Sequence, residues 1–380
     1  MTIKLMPQQK LPAPKKSVAL DFLRGVALLL VLFRHAPAFP EFTLGTMLTT
    51  GGWIGVDIFF VLSGYLVSGL ILAEIGTANR FDIRRFLIRR GLKIYPAFYC
   101  MILATVVMSY WRYGHVEMSA LAAEIFFLQN YLSGLWGHTW SLAVEEHFYI
   151  LLAVCIWLIL KVGGSVKQCL FRVALVTLIV CLSMRIALSL SQIAYAHETH
   201  IFPTHLRIDA LSAGVMLRVF LSDDNAERRM AQLATRWRIG IAVSAAALAC
   251  WPFWNPLGSA PWVTSVGFSL LTLSAILAIL ALRGWSTFES LRGVELIARL
   301  GRYSYSVYLW HLPLAHIANA IGKRVFPEWS GGLSYAAYFA VAVVGGVALG
   351  RLIEIPALSF RDRYFPARVV GVVDPNCKRT

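Results

Sequence analysis

Ten stretches of this 380-residue chain are apolar for long enough to cross a ~30 Å hydrocarbon core at about 1.5 Å per residue. They lie near 17–39, 52–74, 92–110, 141–160, 170–190, 204–221, 239–256, 262–282, 303–321 and 334–355. The pattern predicts an all-α fold, a polytopic bundle of about ten transmembrane helices. Hydrophobic residues make up 58% of the chain and charged residues 14%, too little charge to coat a water-soluble surface. A soluble globular enzyme, a disordered chain and a secreted disulfide scaffold are thereby excluded. The sixth stretch is the least regular, because Arg207, Asp209 and Arg218 interrupt it. Read as a soluble amphipathic helix, it would leave nine spans and move the C-terminus across the membrane.

The net charge of +15 raises nucleic acid as a partner, but its placement argues for topology. The N-terminal tail, the regions following spans 2, 4, 6 and 8, and the C-terminal tail hold 26 of the 35 lysines and arginines, counting Lys93 and Arg172 at the first turns of spans 3 and 5. The intervening loops hold only Arg112, Lys323 and Arg324. Ten spans with both termini cytoplasmic satisfy this asymmetry and nine would not. The reading is a multi-pass protein of the cytoplasmic membrane, with a tail at 1–16, a transmembrane domain at 17–360 and a tail at 361–380. No soluble domain is left to bind nucleic acid. The first span is retained, not cleaved, since no small-residue cleavage site follows a short apolar run. The outside loop near 111–140 carries an amphipathic stretch, 120–128, that could lie on the membrane or fold back over a cavity. Cys100, Cys155, Cys169, Cys181, Cys250 and Cys377 show no metal-ligand spacing and fall in no outside loop, so reduced thiols are expected.

Charges within the bilayer cost at least ~2.5 kcal/mol each and so face a cavity or one another. The first span holds Asp21, Arg24, Arg34 and His35. Arg24 and His35 return to within about 20° of one helix face and stand about 16 Å apart along the axis. Histidine takes and releases a proton near neutral pH; alternatively, Arg24 pairs with Asp21 and His35 is an interface residue. After the second span, Arg84, Arg85, Arg89, Arg90 and Lys93 serve either as a topogenic anchor or as a phosphate site. Glu145 and Glu146 point about 100° apart on a helix, too divergent for one dyad. They could accept a proton, orient a histidine, bind a sugar hydroxyl or pair structurally. Ser63 lacks a nucleophile-elbow pattern and reads as a serine bonding back to its own helix, with Gly64 allowing close packing. His197, His200 and His205 have no defensible zinc spacing, and no metal is expected. His311 lies two residues before Pro313, whose ring frees backbone carbonyls, in an aromatic run that could line a polar cavity or form a kinked packing helix.

In order along the chain come Leu20-Asp-Phe-Leu-Arg24 with His35, Phe59-Phe-Val-Leu-Ser-Gly-Tyr65, the basic run ending Ile94-Tyr-Pro96, and Trp140-Ser-Leu-Ala-Val-Glu-Glu-His-Phe-Tyr149. Arg207-Ile-Asp-Ala-Leu211, Tyr303-Ser-Tyr-Ser-Val-Tyr-Leu-Trp-His311 and Glu354-Ile-Pro356 follow. Together these segments resemble the acyltransferase-3 family of integral membrane O-acyltransferases. The resemblance implies transfer of an acyl group, commonly acetyl, from cytoplasmic acyl-CoA to a hydroxyl of a carbohydrate or glycolipid. It implies His35 as base, with Arg24, Asp21, Glu145 and Glu146 in the catalytic centre. Donor contact falls to Arg89, Arg90, Lys93 and Tyr95, and acceptor contact to Ser63, Tyr65, Trp140, Arg207, Asp209 and His311. One departure is Lys93, where the family commonly has an arginine; lysine keeps the charge and loses the bidentate fork. Some family members carry an appended esterase-like domain, and the chain's end so soon after its last span predicts none here. The resemblance is compatible both with direct transfer and with an acyl-histidine intermediate. The competing class is a proton-coupled transporter or glycan flippase with a buried Asp/Glu/His/Arg relay, against which stands the lack of an inverted repeat.

Overall fold

The computed structural model describes residues 17–37, 43–78, 81–191, 193–325 and 331–366, and these contain no β-strand. The segments 1–16 and 367–380, including Cys377, lie outside the described residues. Fifteen α-helices of eight residues or more are present among them. They are α1 Val18–Arg34, α2 Thr43–Gly51, α3 Ile54–Ala78, α4 Ile83–Tyr113, α5 Met118–Ile125, α6 Trp140–Val162, α7 Val166–Leu190 and α8 Thr204–Phe220. The series continues with α9 Asp224–Ala231, α10 Thr235–Cys250, α11 Val266–Leu282, α12 Arg292–Gly301, α13 Ser304–Val325, α14 Gly331–Leu349 and α15 Ile355–Tyr364.

Each of the ten apolar stretches contains a helix. Among the described residues five segments are long and apolar enough to cross a membrane: Ile54–Gly76, Ile83–Tyr113, Gly137–Val162, Val166–Leu190 and Gly331–Tyr364. Helices α1, α8 and α11 have 17 residues and α10 has 16, about a turn short of a standard span. For α1 the reason lies in its surroundings: it is enclosed by α3, α11, α12 and α13, and polar side chains at its ends face protein.

Local signals set the helix ends. The Ser17 hydroxyl accepts from Leu20 N–H at the start of α1, and Asp82 accepts from Arg85 N–H at the start of α4. Gly114 and Gly163 close α4 and α6 in the left-handed conformation, with φ of 74° and 76°. Glycine also sets how closely helices cross. A Cβ on Gly64 would lie 1.9 Å from Leu211 O, and one on Gly214 would lie 2.1 Å from Val61 O, so α3 and α8 meet backbone to backbone. Gly301 likewise lets α12 rest on Asp21 O of α1.

The loop between α4 and α6 folds back onto the bundle. Glu124 of α5 is fully buried. Its Oε1 accepts from the Thr139 hydroxyl at 2.8 Å and from Trp136 N–H at 3.2 Å, so α5 is tied to the segment that leads into α6. Phe127 adopts φ of 55° at the turn after α5, held there by stacking on Phe98 with ring centroids 4.7 Å apart.

Candidate active site

Two polar centres occupy the interior, and side chains of α13 bridge them. The first gathers charge. Lys93 of α4 lies within electrostatic reach of Arg24 on α1, Arg90 on α4, Glu145 on α6 and Glu354, which sits in the π-turn Gly350–Glu354 after α14. A π-turn is where a helix commonly re-aims a functional side chain. Glu145 accepts from the Ser63 hydroxyl at 3.0 Å and from the Tyr149 hydroxyl at 2.8 Å. Glu146 points elsewhere and accepts from the Tyr95 hydroxyl at 2.9 Å. Ser306 donates to Glu354 at 2.5 Å, and Tyr305 donates to Ile94 O at 2.6 Å. The Arg90 guanidinium lies 5.1 Å from the centre of the Tyr149 ring.

The second centre is made of imidazoles. His35 caps the C-terminal end of α1, and its Nδ1 lies 3.1 Å from Val31 O and 3.2 Å from His311 Nε2. A carbonyl oxygen only accepts, so His35 carries its proton on Nδ1. His311 Nδ1 lies 2.5 Å from Tyr308 O, which by the same reasoning makes His311 Nε2 the acceptor for His35. His35 Nε2 is then the bare nitrogen. A third ring, His138, stands 5.0 Å centroid to centroid from His311. Tyr308 links the two centres: it donates to His138 O at 2.7 Å and lies within electrostatic reach of Glu145.

The other residues singled out in the sequence fall as follows. Arg24 lies 4.0 Å from Asp21, an i,i+3 pair within α1. Arg89 donates to Phe365 O and pairs with Asp362 at 3.2 Å, so it faces α15. Tyr65 accepts from Arg218 at 3.4 Å. Arg207 pairs with Asp57 at 2.8 Å and lies 3.7 Å from the centre of the Phe268 ring. Asp209 pairs with Arg185 at 2.7 Å. These two fully buried pairs tie α8 to α3 and α7. Trp140 stacks on Phe202 at 5.1 Å. Ser63 does not bond back to its own helix as its sequence context suggests; its hydroxyl reaches Glu145 because α3 and α6 face one another there, while Ser68 makes the backbone bond, to Gly64 O at 2.7 Å. His205 stacks on Tyr131 and His200 lies against Tyr195. Among the described residues no three potential metal ligands converge.

Sequence reasoning missed His138, Tyr308 and the Arg185–Asp209 pairing. A signal for the last was present, since an arginine within a span requires an acid within reach. His138 stands outside the apolar stretch and gave none.

Interacting polar side chains among helices long and apolar enough to cross a membrane mark a helical membrane protein. The chain belongs to the acyltransferase-3 family: the acyltransferase domain matches residues 17–351. Among curated relatives, O-acetyltransferase OatA of Staphylococcus aureus strain NCTC 8325 is 26% identical over 337 residues, covering 82% of this chain and 53% of the relative. The putative peptidoglycan O-acetyltransferase YrhL of Bacillus subtilis strain 168 is 28% identical over 340 residues, covering 81% of this chain and 50% of its own length. A putative O-acetyltransferase of S. aureus strain MRSA252, SAR0937, is 24% identical over 389 residues and covers 93% of this chain. The chain thus spans about half the length of the first of these relatives. No solved structure matches it.

Proposed function

We propose that this protein is an O-acetyltransferase of the cytoplasmic membrane, with ten spans and both termini inside. It moves an acetyl group from cytoplasmic acyl-CoA to a hydroxyl of a cell-surface or exported glycan or glycolipid. The observation that carries this reading is the bare Nε2 of His35, whose Nδ1–H is directed to Val31 O and His311 at the end of a helix that bears Arg24 in its N-terminal half. A nitrogen so arranged can take the proton of an acceptor hydroxyl. The hydroxyl oxygen bonds to the acyl carbon, the carbon–sulfur bond breaks, and the departing thiolate takes up a proton. Arg24, Arg90 and Lys93 supply cations suited to donor phosphates, with Glu145 and Glu354 keeping that cluster from excess positive charge. The relatives' names, O-acetyltransferase OatA and putative peptidoglycan O-acetyltransferase YrhL, support acetyl as the group and carbohydrate as the acceptor class.

The reading is tested by mass spectrometry of envelope carbohydrates from cells with and without the gene. An acetyl ester present only with the gene is expected. Identical glycans, together with substrate uptake by the purified protein in liposomes lacking any acyl donor, would favour a transporter.

A further inference from the structure

Pro313 lies inside α13 and has no N–H, so the carbonyl four residues earlier, Leu309 O, loses its helical donor. A side chain from another segment fills the gap. His138 Nε2 stands 3.1 Å from Leu309 O and, facing a carbonyl, must donate to it. His138 is only 3% exposed, and its Nδ1, bare once Nε2 holds the proton, is buried without any hydrogen-bond partner. A buried lone pair left without a donor is costly. The same turn of α13 is fixed from two further directions. Tyr308 OH donates to His138 O at 2.7 Å, and Ser141 lies 2.6 Å from that hydroxyl. The turn held in this way carries His311, whose Nε2 meets His35 Nδ1 at 3.2 Å.

We propose that His138 and His311 are positioning residues for His35: His138 pins the proline-opened turn of α13, and His311 on that turn joins Val31 O in keeping His35 in the Nδ1–H tautomer. The proposal rests on the reading of His35 as the base. An unconstrained imidazole exchanges between two neutral tautomers, and the one protonated on Nε2 cannot accept a hydroxyl proton at that nitrogen. The segment Trp136–Thr139, anchored by Glu124, thereby acts on the chemistry without touching substrate.

The test uses the full chain in nanodiscs, reading acetyl-transfer kinetics together with ¹⁵N ring shifts of His35, assigned by difference from His35→Gln. In His138→Leu, kcat should fall at least about tenfold with KM little changed, and His35 should show a second tautomer. In His138→Gln, whose amide can still donate to Leu309 O, most of kcat and the single tautomer should return. Pro313→Ala restores a backbone N–H in competition with His138 and should behave like His138→Leu. A folded His138→Leu with wild-type kcat and an unchanged His35 spectrum would overturn the proposal, as would a loss of kcat with the tautomer intact. If His138→Leu does not fold, Pro313→Ala decides on the same readouts. Full activity in His35→Ala would defeat the base reading instead, whereas the tautomer spectrum is read independently of activity.

Discussion

Single residues carry the largest local costs where charge is buried. Asp57 and Arg207 are both about 2% exposed at the side chain and 150 positions apart in sequence. Removing one partner strands the other, so Asp57→Ala should lower stability by about 3–5 kcal/mol, read as a drop in thermal unfolding temperature in detergent. The double replacement Asp57→Leu with Arg207→Leu should cost far less, because no lone charge remains. At this scale the sequence was half legible. Intramembrane Arg207 and Asp209 were visible as charges needing partners, but which acid meets which arginine depends on helix packing across long separations. Glu145 illustrates the same limit. Its divergence from Glu146 followed from helix geometry, while its bond to Ser63 required knowing that α3 faces α6. Glu145→Gln keeps the Ser63 and Tyr149 hydroxyls near an oxygen but removes a negative charge near Lys93. Transfer activity is expected to fall with folding preserved, as measured by acetyl incorporation alongside size-exclusion behaviour.

Elements were legible where apolar length decides and illegible where contact decides. The ten apolar stretches each yielded a helix, and Gly64 was readable as a packing glycine; a Cβ added there would lie 1.9 Å from Leu211 O, which makes the crossing of α3 and α8 intolerant of any side chain. Gly64→Val should cost about 1–3 kcal/mol or more by overpacking, detected by thermal unfolding. The amphipathic stretch near 120–128 suited two placements equally, and the burial of Glu124 and the stacking of Phe127 on Phe98 distinguish them. Burial pushes the Glu124 carboxyl up to about 7, despite the Thr139 and Trp136 hydrogen bonds that favour its charged form. In the unfolded chain this group titrates near 4.5, so between about 4.5 and about 7 the folded state holds a proton that the unfolded state has lost. Stability should therefore decline as pH rises through that window, by at most about 3 kcal/mol. Glu124→Gln should flatten that slope in unfolding measured across pH. An unchanged slope would mean that Glu124 is solvated.

For the whole molecule, charge asymmetry and enclosure make two different predictions. Positive-inside placement expects single cysteines at Arg84 and Tyr113, at opposite ends of α4, to be labelled by impermeant reagent from opposite sides of the membrane. Labelling of both from one side would break the ten-span arrangement. The enclosure of Arg24, Lys93, Glu145 and the imidazoles around α1 was foreshadowed by their cost in lipid, whereas the joining of His35 to His311 and His138 was not, since it comes from three distant segments meeting. The measurement that bears most directly on the function of this interior is acetyl transfer by His35→Ala. Membrane vesicles holding wild-type or variant protein at equal amounts would be supplied with labelled acetyl-CoA, and label in the carbohydrate fraction counted. Incorporation by the wild type and none above background in a folded His35→Ala is the expected result; equal incorporation by both would contradict His35 as the base.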